Sequence, residues 1–286
     1  MAEPNNLIGS LVENRFEVLS LLGEGGMATV YQAEHKAVHL QVAIKVLKSE
    51  SGLDEYDIER LKREARALNS LFHPNVVKVY SFGFLDSGQP YLVLDLLKGR
   101  SLGEIIESGE LPALDWSIEA FVQICRGLHS AHESGLIHRD LKPSNVMVVD
   151  RDEEGAFVKL LDFGIAKSTA PKDNEQKLTG KGEIFGSPLY MSPEQISGKS
   201  LDKRADIYSL GCLMYETLTG KPPVIGETVI LTMVKHLQEK PAALNDAFKR
   251  EYPKGLEDIV FKCMEKEPSN RFDSALEIEQ ALSQLN

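Results

Sequence analysis

The sequence has only three cysteines, Cys125, Cys212 and Cys263. They lie far apart without paired metal-ligand spacing, which argues against both a disulfide framework and a zinc site. Reduced thiols buried in the interior are expected instead. Long hydrophobic runs are missing too. Stretches such as Tyr91-Leu-Val-Leu94 fall far short of the roughly 18 residues that a membrane helix requires, so no spanning segment is expected. The opening residues, Met1 to Leu7, hold neither a basic nor an apolar region, so no secretory signal is read there and a cytoplasmic location is expected. Basic residues are outnumbered: 32 lysines and arginines face 43 aspartates and glutamates, a net charge of −11 with a pI near 5.2. That balance speaks against nucleic acid or anionic lipid as partners. Any phosphate bound here must be held by a local device.

What is present is soluble globular material, 42% hydrophobic and 26% charged. At about 150 residues per domain, 286 residues suggest roughly two domains or lobes. The first hundred residues read as short β-rich runs broken by glycine: Phe16 to Leu22, Ala28 to Ala33 and Gln41 to Leu47. Between Asp54 and Leu71 the pattern changes, with Ile58, Leu61, Ala65 and Leu68 at spacings of three and four, which predicts one amphipathic helix. Pro74 stops it, and strands are expected at Val76 to Tyr80 and Tyr91 to Leu96. After Lys98-Gly-Arg100 helical patterns dominate, at 102–108, 116–133, 206–218, 229–239, 256–265 and 275–285. A small hairpin is expected from Asn145 to Val149 and Phe157 to Leu161, and a loop from Ser168 to Lys181.

Gly23-Glu-Gly-Gly-Met-Ala-Thr-Val30 lies between two predicted strands, where its glycines let a backbone approach something bulky and anionic. Alone, such a pattern is as often a plain turn. Lys45, in Val42-Ala-Ile-Lys45, is a single charge in an apolar strand, costly unless paired, and Glu64 in the predicted helix is a plausible partner. His138-Arg-Asp-Leu-Lys-Pro-Ser-Asn145 followed by Asp162-Phe-Gly164 has the order and spacing of the catalytic loop and metal-binding segment of protein kinases. His73-Pro-Asn75, Ser192-Pro-Glu194, Asp206-Ile-Tyr-Ser-Leu-Gly211 and Asn270-Arg271 follow the same order. From about residue 14 to 285 the chain resembles the bacterial branch of the eukaryotic-like, or Hanks-type, serine/threonine protein kinases.

The resemblance implies an α+β bilobal protein-kinase fold, with a small antiparallel sheet and one main helix in the N-lobe and a larger, mostly helical C-lobe. Its boundaries are a lead-in over 1–14, flexible or loosely docked, an N-lobe over 15–97 and a C-lobe over 98–286. It implies ATP and Mg²⁺, with Mn²⁺ as a substitute, and serine or threonine side chains of proteins as acceptors. In that reading Lys45, held by Glu64, grips the α and β phosphates, and Asn145 and Asp162 hold the metal. Asp140 accepts or orients the hydroxyl proton, Lys142 meets the γ-phosphate, and Ser187 hydrogen-bonds both. The nucleotide is covered by Leu22, Gly23, Glu24, Gly25, Gly26, Met27, Ala28, Thr29 and Val30. Ala43 and Met147 enclose adenine, Leu94 is the gatekeeper, main-chain groups of Asp95 and Leu97 meet the adenine edge, and Ser101 stands at the ribose position. Leu68, Val79, His138 and Phe163 are implied to stack as a spine, and Asp206, Glu194 and Arg271 are structural.

Regulation is implied by Arg139 before Asp140, which in such kinases meets a phosphate on the segment from Asp162 to Glu194. Thr179 is the favoured acceptor there, with Thr169 and Ser168 as others, and Arg60 and Lys167 are further phosphate ligands. The pattern departs at Ala28, in place of a third glycine, and at Ser192, in place of alanine. Ser101 and Ser144 replace the glutamates of many arginine-directed kinases, so no strong preference for such substrates is expected. Two alternatives stay open: a pseudokinase acting as a nucleotide-binding scaffold, and a small-molecule phosphotransferase of the same fold. Dimerisation through the N-lobes, and membership of a longer, membrane-anchored kinase, also stay open.

Overall fold

A computed structural model describes residues 7–26, 28–48, 55–150, 155–164 and 188–285. The described residues fall into two compact units, one of residues 7–72 and 77–97, the other of residues 73–76, 98–164 and 188–285.

The first unit is built on an antiparallel sheet of β1 (Leu11–Val12), β2 (Phe16–Glu24), β3 (Ala28–His35), β4 (Leu40–Leu47), β5 (Val79–Phe84) and β6 (Pro90–Asp95), in the order β1-β2-β3-β4-β6-β5. Alternation along the strands turns Phe16, Val18, Tyr31, Ala33, Val42, Ile44, Val46, Tyr91 and Val93 into one buried cluster. The expected amphipathic helix is α1 (Glu55–Ser70), which packs on β5 and buries Leu61, Ala65 and Leu68. Gly83 is a glycine because a Cβ there would stand 2.5 Å from the Tyr91 hydroxyl oxygen.

Two expectations fail in this unit. Residues 7–14 are not a loosely docked lead-in. The Gly9 N–H donates to the Val18 carbonyl at 2.8 Å, the Val18 N–H to Ser10 at 3.0 Å, and Val12 is buried. Glu13, in the left-handed region at φ 52°, accepts hydrogen bonds from Ser81 Oγ at 2.6 Å and Tyr91 Oη at 2.8 Å and pairs with Arg15. Its two hydroxyl donors come from strands almost 70 and 80 residues downstream, which local patterning cannot reveal. Glu13→Ala is therefore expected to lower stability by about 1–3 kcal/mol through the two stranded donors, read by urea denaturation. An unchanged midpoint would contradict this anchoring.

The second failure is the strand expected at Val76 to Tyr80. β5 begins only at Val79, because residues 73–76 belong to the other unit. There Asn75 Nδ2 donates to Gln123 Oε1 at 2.9 Å and to the Val158 carbonyl at 2.8 Å, while the Leu160 N–H donates to the Asn75 carbonyl at 2.8 Å. These partners satisfy a buried amide and hold the segment before β5 to the second unit.

The second unit carries the expected hairpin as β8 (Val146–Val149) and β9 (Val158–Leu160), joined by an unexpected third strand, β7 (Gly99–Ser101). Its helices are α2 (Leu102–Glu107), α3 (Leu114–Glu133), α4 (Pro193–Ile196), α5 (Arg204–Thr219), α6 (Val229–Gln238), α7 (Leu244–Ala247), α8 (Leu256–Cys263) and α9 (Ala275–Ser283). α5 is buried on nearly every side and packs on α8, while α3 packs on α9. Gly211 permits the α5 contact, since a Cβ there would come within 2.8 Å of the Cys263 Cβ. Gly220, at φ 73°, ends α5 in a left-handed cap. All three cysteines are free and buried, as expected, and burial pushes each thiol pKa upward.

α6 is pinned to α5 by His236, whose Nδ1 accepts from Tyr208 Oη at 2.9 Å, and the same oxygen accepts from Lys266 Nζ at 3.3 Å. Burial and the Lys266 charge push the His236 pKa from 6.5 down to about 4. The unfolded chain takes up the proton near 6.5 and the folded one resists it, so this stability is complete above 6.5 and is lost as pH falls toward 4. The loss amounts to about 3 kcal/mol at most. Unfolding free energies measured across that range are expected to slope less steeply in His236→Gln; an unchanged slope would contradict the assignment.

Candidate active site

The site in the second unit is organised from Asp206, in the first turn of α5. This buried carboxylate accepts the His138 N–H at 2.7 Å, the Arg139 N–H at 2.8 Å and His132 Nε2 at 2.8 Å. Burial pushes its pKa up, but the His132 hydrogen bond, with the charge and N–H of neighbouring groups, outweighs that and holds it below the usual carboxylate value. The two backbone bonds set the turn in which Arg139 adopts φ 61°, a left-handed conformation costing about 1–2 kcal/mol outside glycine.

His138 is wholly buried. Its Nε2 lies 2.7 Å from the Leu161 carbonyl, and its Nδ1 accepts the Asp140 N–H at 3.3 Å. Those partners assign the proton to Nε2 of a neutral ring, in keeping with a pKa that burial pushes down. Its ring centroid is 4.6 Å from that of Phe163, so His138 serves as packing and scaffold. In the first unit Leu68 and Val79 are buried as well.

Asp140 Oδ2 lies 3.2 Å from Lys142 Nζ and accepts from Asn145 Nδ2 at 3.2 Å; the same amide nitrogen donates to the Asp140 carbonyl at 2.7 Å. Asn145 is fixed further by its carbonyl, which takes the Leu161 N–H at 2.9 Å. Asp162 follows directly, at φ 53°, and Gly164 donates its N–H to the His138 carbonyl at 2.9 Å. A Cβ on Gly164 would stand 3.0 Å from that carbonyl oxygen, so any side chain there would push the two loops apart by a few tenths of an ångström. The Asn145 amide nitrogen is committed to Asp140, which turns its oxygen the other way. An amide oxygen and a carboxylate, such as Asn145 and Asp162 carry, are the donor types that a hard divalent cation takes, and among the described residues no group of three or more His, Cys, Asp or Glu is placed to hold a metal ion.

Glu194 and Arg271 form a buried bidentate pair, Nη1 to Oε1 at 2.7 Å and Nη2 to Oε2 at 2.8 Å. Ser192, in place of alanine, caps α4: its hydroxyl accepts the Gln195 N–H at 3.3 Å.

The first unit holds a further group of the predicted residues. Lys45 is half-buried on β4, opposite Val30 on β3 and Leu92 on β6, and Ala43 stands opposite Leu94. Glu64 is half-buried on α1. The β2–β3 turn is closed by the Gly25 N–H donating to Ala28 at 2.9 Å, and Glu24 pairs with Lys48 at 2.7 Å. Ala28 is a paired strand residue, so no glycine is needed there. Leu22 is exposed, Leu97 is half-buried, and Thr29 pairs with Glu24. The Asp95 carboxylate accepts from Tyr80 Oη at 2.6 Å, and burial together with that bond raises the tyrosine pKa to about 12. Arg60 pairs with Asp57 at 3.6 Å.

Met147 is half-buried on β8, opposite Ser101 on β7. Ser101 itself is committed locally. Its hydroxyl donates to Glu104 Oε2 at 2.8 Å and accepts the Glu104 N–H at 3.1 Å, a capping box for α2 that a ribose contact would have to open. Met27, Lys167, Ser168, Thr169, Thr179 and Ser187 lie outside the described residues. Sequence reading missed His132 and Gln195, and it placed Asn75 in the His73-Pro-Asn75 landmark without a role. Only Gln195 had a local signal, the Ser192-x-x-Gln195 capping spacing.

Among the described residues no helix is long and apolar enough to cross a membrane. A family model described as the protein kinase domain matches residues 16–284. A probable serine/threonine-protein kinase of Clostridium perfringens is 41% identical over 276 residues, 95% of this chain and 38% of that protein. The serine/threonine-protein kinase PknB of Mycolicibacterium smegmatis is 34% identical over 278 residues, 96% of this chain and 43% of that protein. The chain thus spans about two fifths of the length of these curated relatives. The crystal structure of the Mycobacterium tuberculosis PknI kinase domain matches with a TM-score of 0.76 over 97% of this chain and 99% of that one, a likeness of fold at 24% identity. Motif order, loop geometry and a family match over nearly the whole length agree: this chain belongs to the protein kinase domain family.

Proposed function

We propose that the chain is the catalytic domain of a serine/threonine protein kinase that transfers the γ-phosphoryl group of ATP to serine or threonine hydroxyls of proteins. The observation that carries this reading is the Asp140 carboxylate held between Lys142 Nζ and Asn145 Nδ2, each at 3.2 Å. Phosphoryl transfer asks a protein for alignment and charge neutralisation more than for covalent help. Asp140 orients the acceptor hydroxyl and takes its proton as the oxygen attacks phosphorus, and Lys142 stabilises charge on the transferred group. Lys45, held by Glu64, fixes the α and β phosphates, and the Gly23–Val30 hairpin covers them. Asn145 and Asp162 hold the divalent ion, which neutralises the phosphates when bound. Mg²⁺ suits the oxygen donor set, with Mn²⁺ as a substitute.

Autophosphorylation at Thr179, Thr169 or Ser168, read out by Arg139, and membership of a longer membrane-anchored protein belong to the same proposal. The test is transfer of label from γ-labelled ATP to a generic protein substrate, followed by phosphoamino-acid analysis. Phosphoserine and phosphothreonine that vanish with EDTA are expected. Phosphotyrosine alone, or label only on small-molecule acceptors, would overturn the proposal.

A further inference from the structure

We infer, resting on the kinase reading, that Gln195 is a positioning residue for the catalytic loop, acting through the peptide group that joins Arg139 to Asp140. Gln195 is the third residue of α4, where its side-chain oxygen accepts the Ser192 N–H at 2.9 Å and completes the cap. A glutamate would do that equally well, since the capping box asks only for an acceptor at this position. The amide nitrogen is what glutamate lacks. Here it donates to the carbonyl of Arg139 at 3.0 Å, 56 residues earlier in the chain.

That carbonyl shares one planar unit with the N–H of Asp140. The N–H is held by His138 Nδ1 at 3.3 Å and the oxygen by Gln195, so the plane is pinned at both ends. The preceding plane is pinned by Asp206, which takes the Arg139 N–H at 2.8 Å. Between the two planes Arg139 sits at φ 61°, a conformation that relaxes when its neighbours let go. The orientation of the second plane fixes where the Asp140 side chain starts, and hence how its carboxylate meets Lys142 and Asn145. α4 is tied to the body of the unit by the Glu194–Arg271 pair, so the Gln195 amide links that anchor to the reacting carboxylate.

Gln195→Glu keeps the cap and sets a carboxylate oxygen against the Arg139 carbonyl in place of the clamp, whereas Gln195→Met, of similar volume, loses the clamp and the side-chain half of the cap while the Ser192 hydroxyl keeps its backbone bond. In both variants kcat is expected to fall about ten- to a hundredfold, with KM for ATP unchanged within about twofold. A wild-type kcat in either folded variant overturns the inference and leaves Gln195 a helix cap. If Gln195→Glu does not fold, Gln195→Met decides by the same criterion. Hydrogen exchange of the peptide spanning residues 138–142 reads the clamp without turnover. Faster exchange in the variants supports it and unchanged exchange overturns it, even if the wild type transfers no phosphate and the kinase reading itself fails.

Discussion

Asp140→Asn is expected to lower phosphoryl transfer by about 10²–10⁴-fold, the span over which a positioned proton acceptor acts, while ATP affinity stays near that of the wild type. The substitution preserves shape and removes charge. The carboxylate lies 3.2 Å from Lys142 Nζ and accepts from Asn145 Nδ2 at 3.2 Å. Both contacts fall on Oδ2, where the amide oxygen of asparagine can still accept, so what the substitution removes is the negative charge and the capacity to take up a proton. The main-chain scaffold does not depend on that carboxylate, since Asn145 also holds the Asp140 carbonyl at 2.7 Å and His138 holds its N–H. Rates with a protein substrate and ATP titration calorimetry separate the two effects. A variant within about tenfold of wild type would show that Asp140 is not the proton acceptor.

Arg271→Ala is expected to cost about 3–5 kcal/mol of stability, the usual result of leaving one member of a buried ion pair alone. The guanidinium meets both oxygens of Glu194, and it also donates to the carbonyls of Glu265 at 2.8 Å, Arg204 at 2.7 Å and Lys266 at 3.0 Å. Its removal strands a buried carboxylate and three carbonyls together. Arg271→Lys restores the charge but not the planar fork, so it is expected to recover only part of the loss. Glu194 sits in α4 beside Gln195, so activity falls along with stability. Urea unfolding measures the cost, and a change below about 1 kcal/mol would mean that the pair is solvated and weak.

The geometry that was legible in the sequence is the geometry written in short spacings. Asp140, Lys142 and Asn145 lie within six residues, and one turn brings them together. The amphipathic period of α1 and the hairpin of β8 and β9 are likewise local signals. What was not legible depends on partners far along the chain. Glu13 looks like part of a polar tail until Ser81 and Tyr91 close on it, and nothing local to Asn75 shows that Gln123 and Val158 hold its amide. Ser101 shows a different limit. Family resemblance places it at the ribose position, while the local Ser101-x-x-Glu104 spacing spells a helix cap, which its hydroxyl makes here.

Intact-mass spectrometry before and after incubation with ATP and Mg²⁺, run in parallel on the wild type and Asp140→Asn, tests the central claim most directly. Phosphate additions on the wild type alone, mapping to serine or threonine, are the predicted result. Equal gains on both proteins would assign the phosphate to another enzyme. No gain on either, with no transfer to an added protein substrate after phosphatase pretreatment, would contradict the account and leave a nucleotide-binding scaffold in its place.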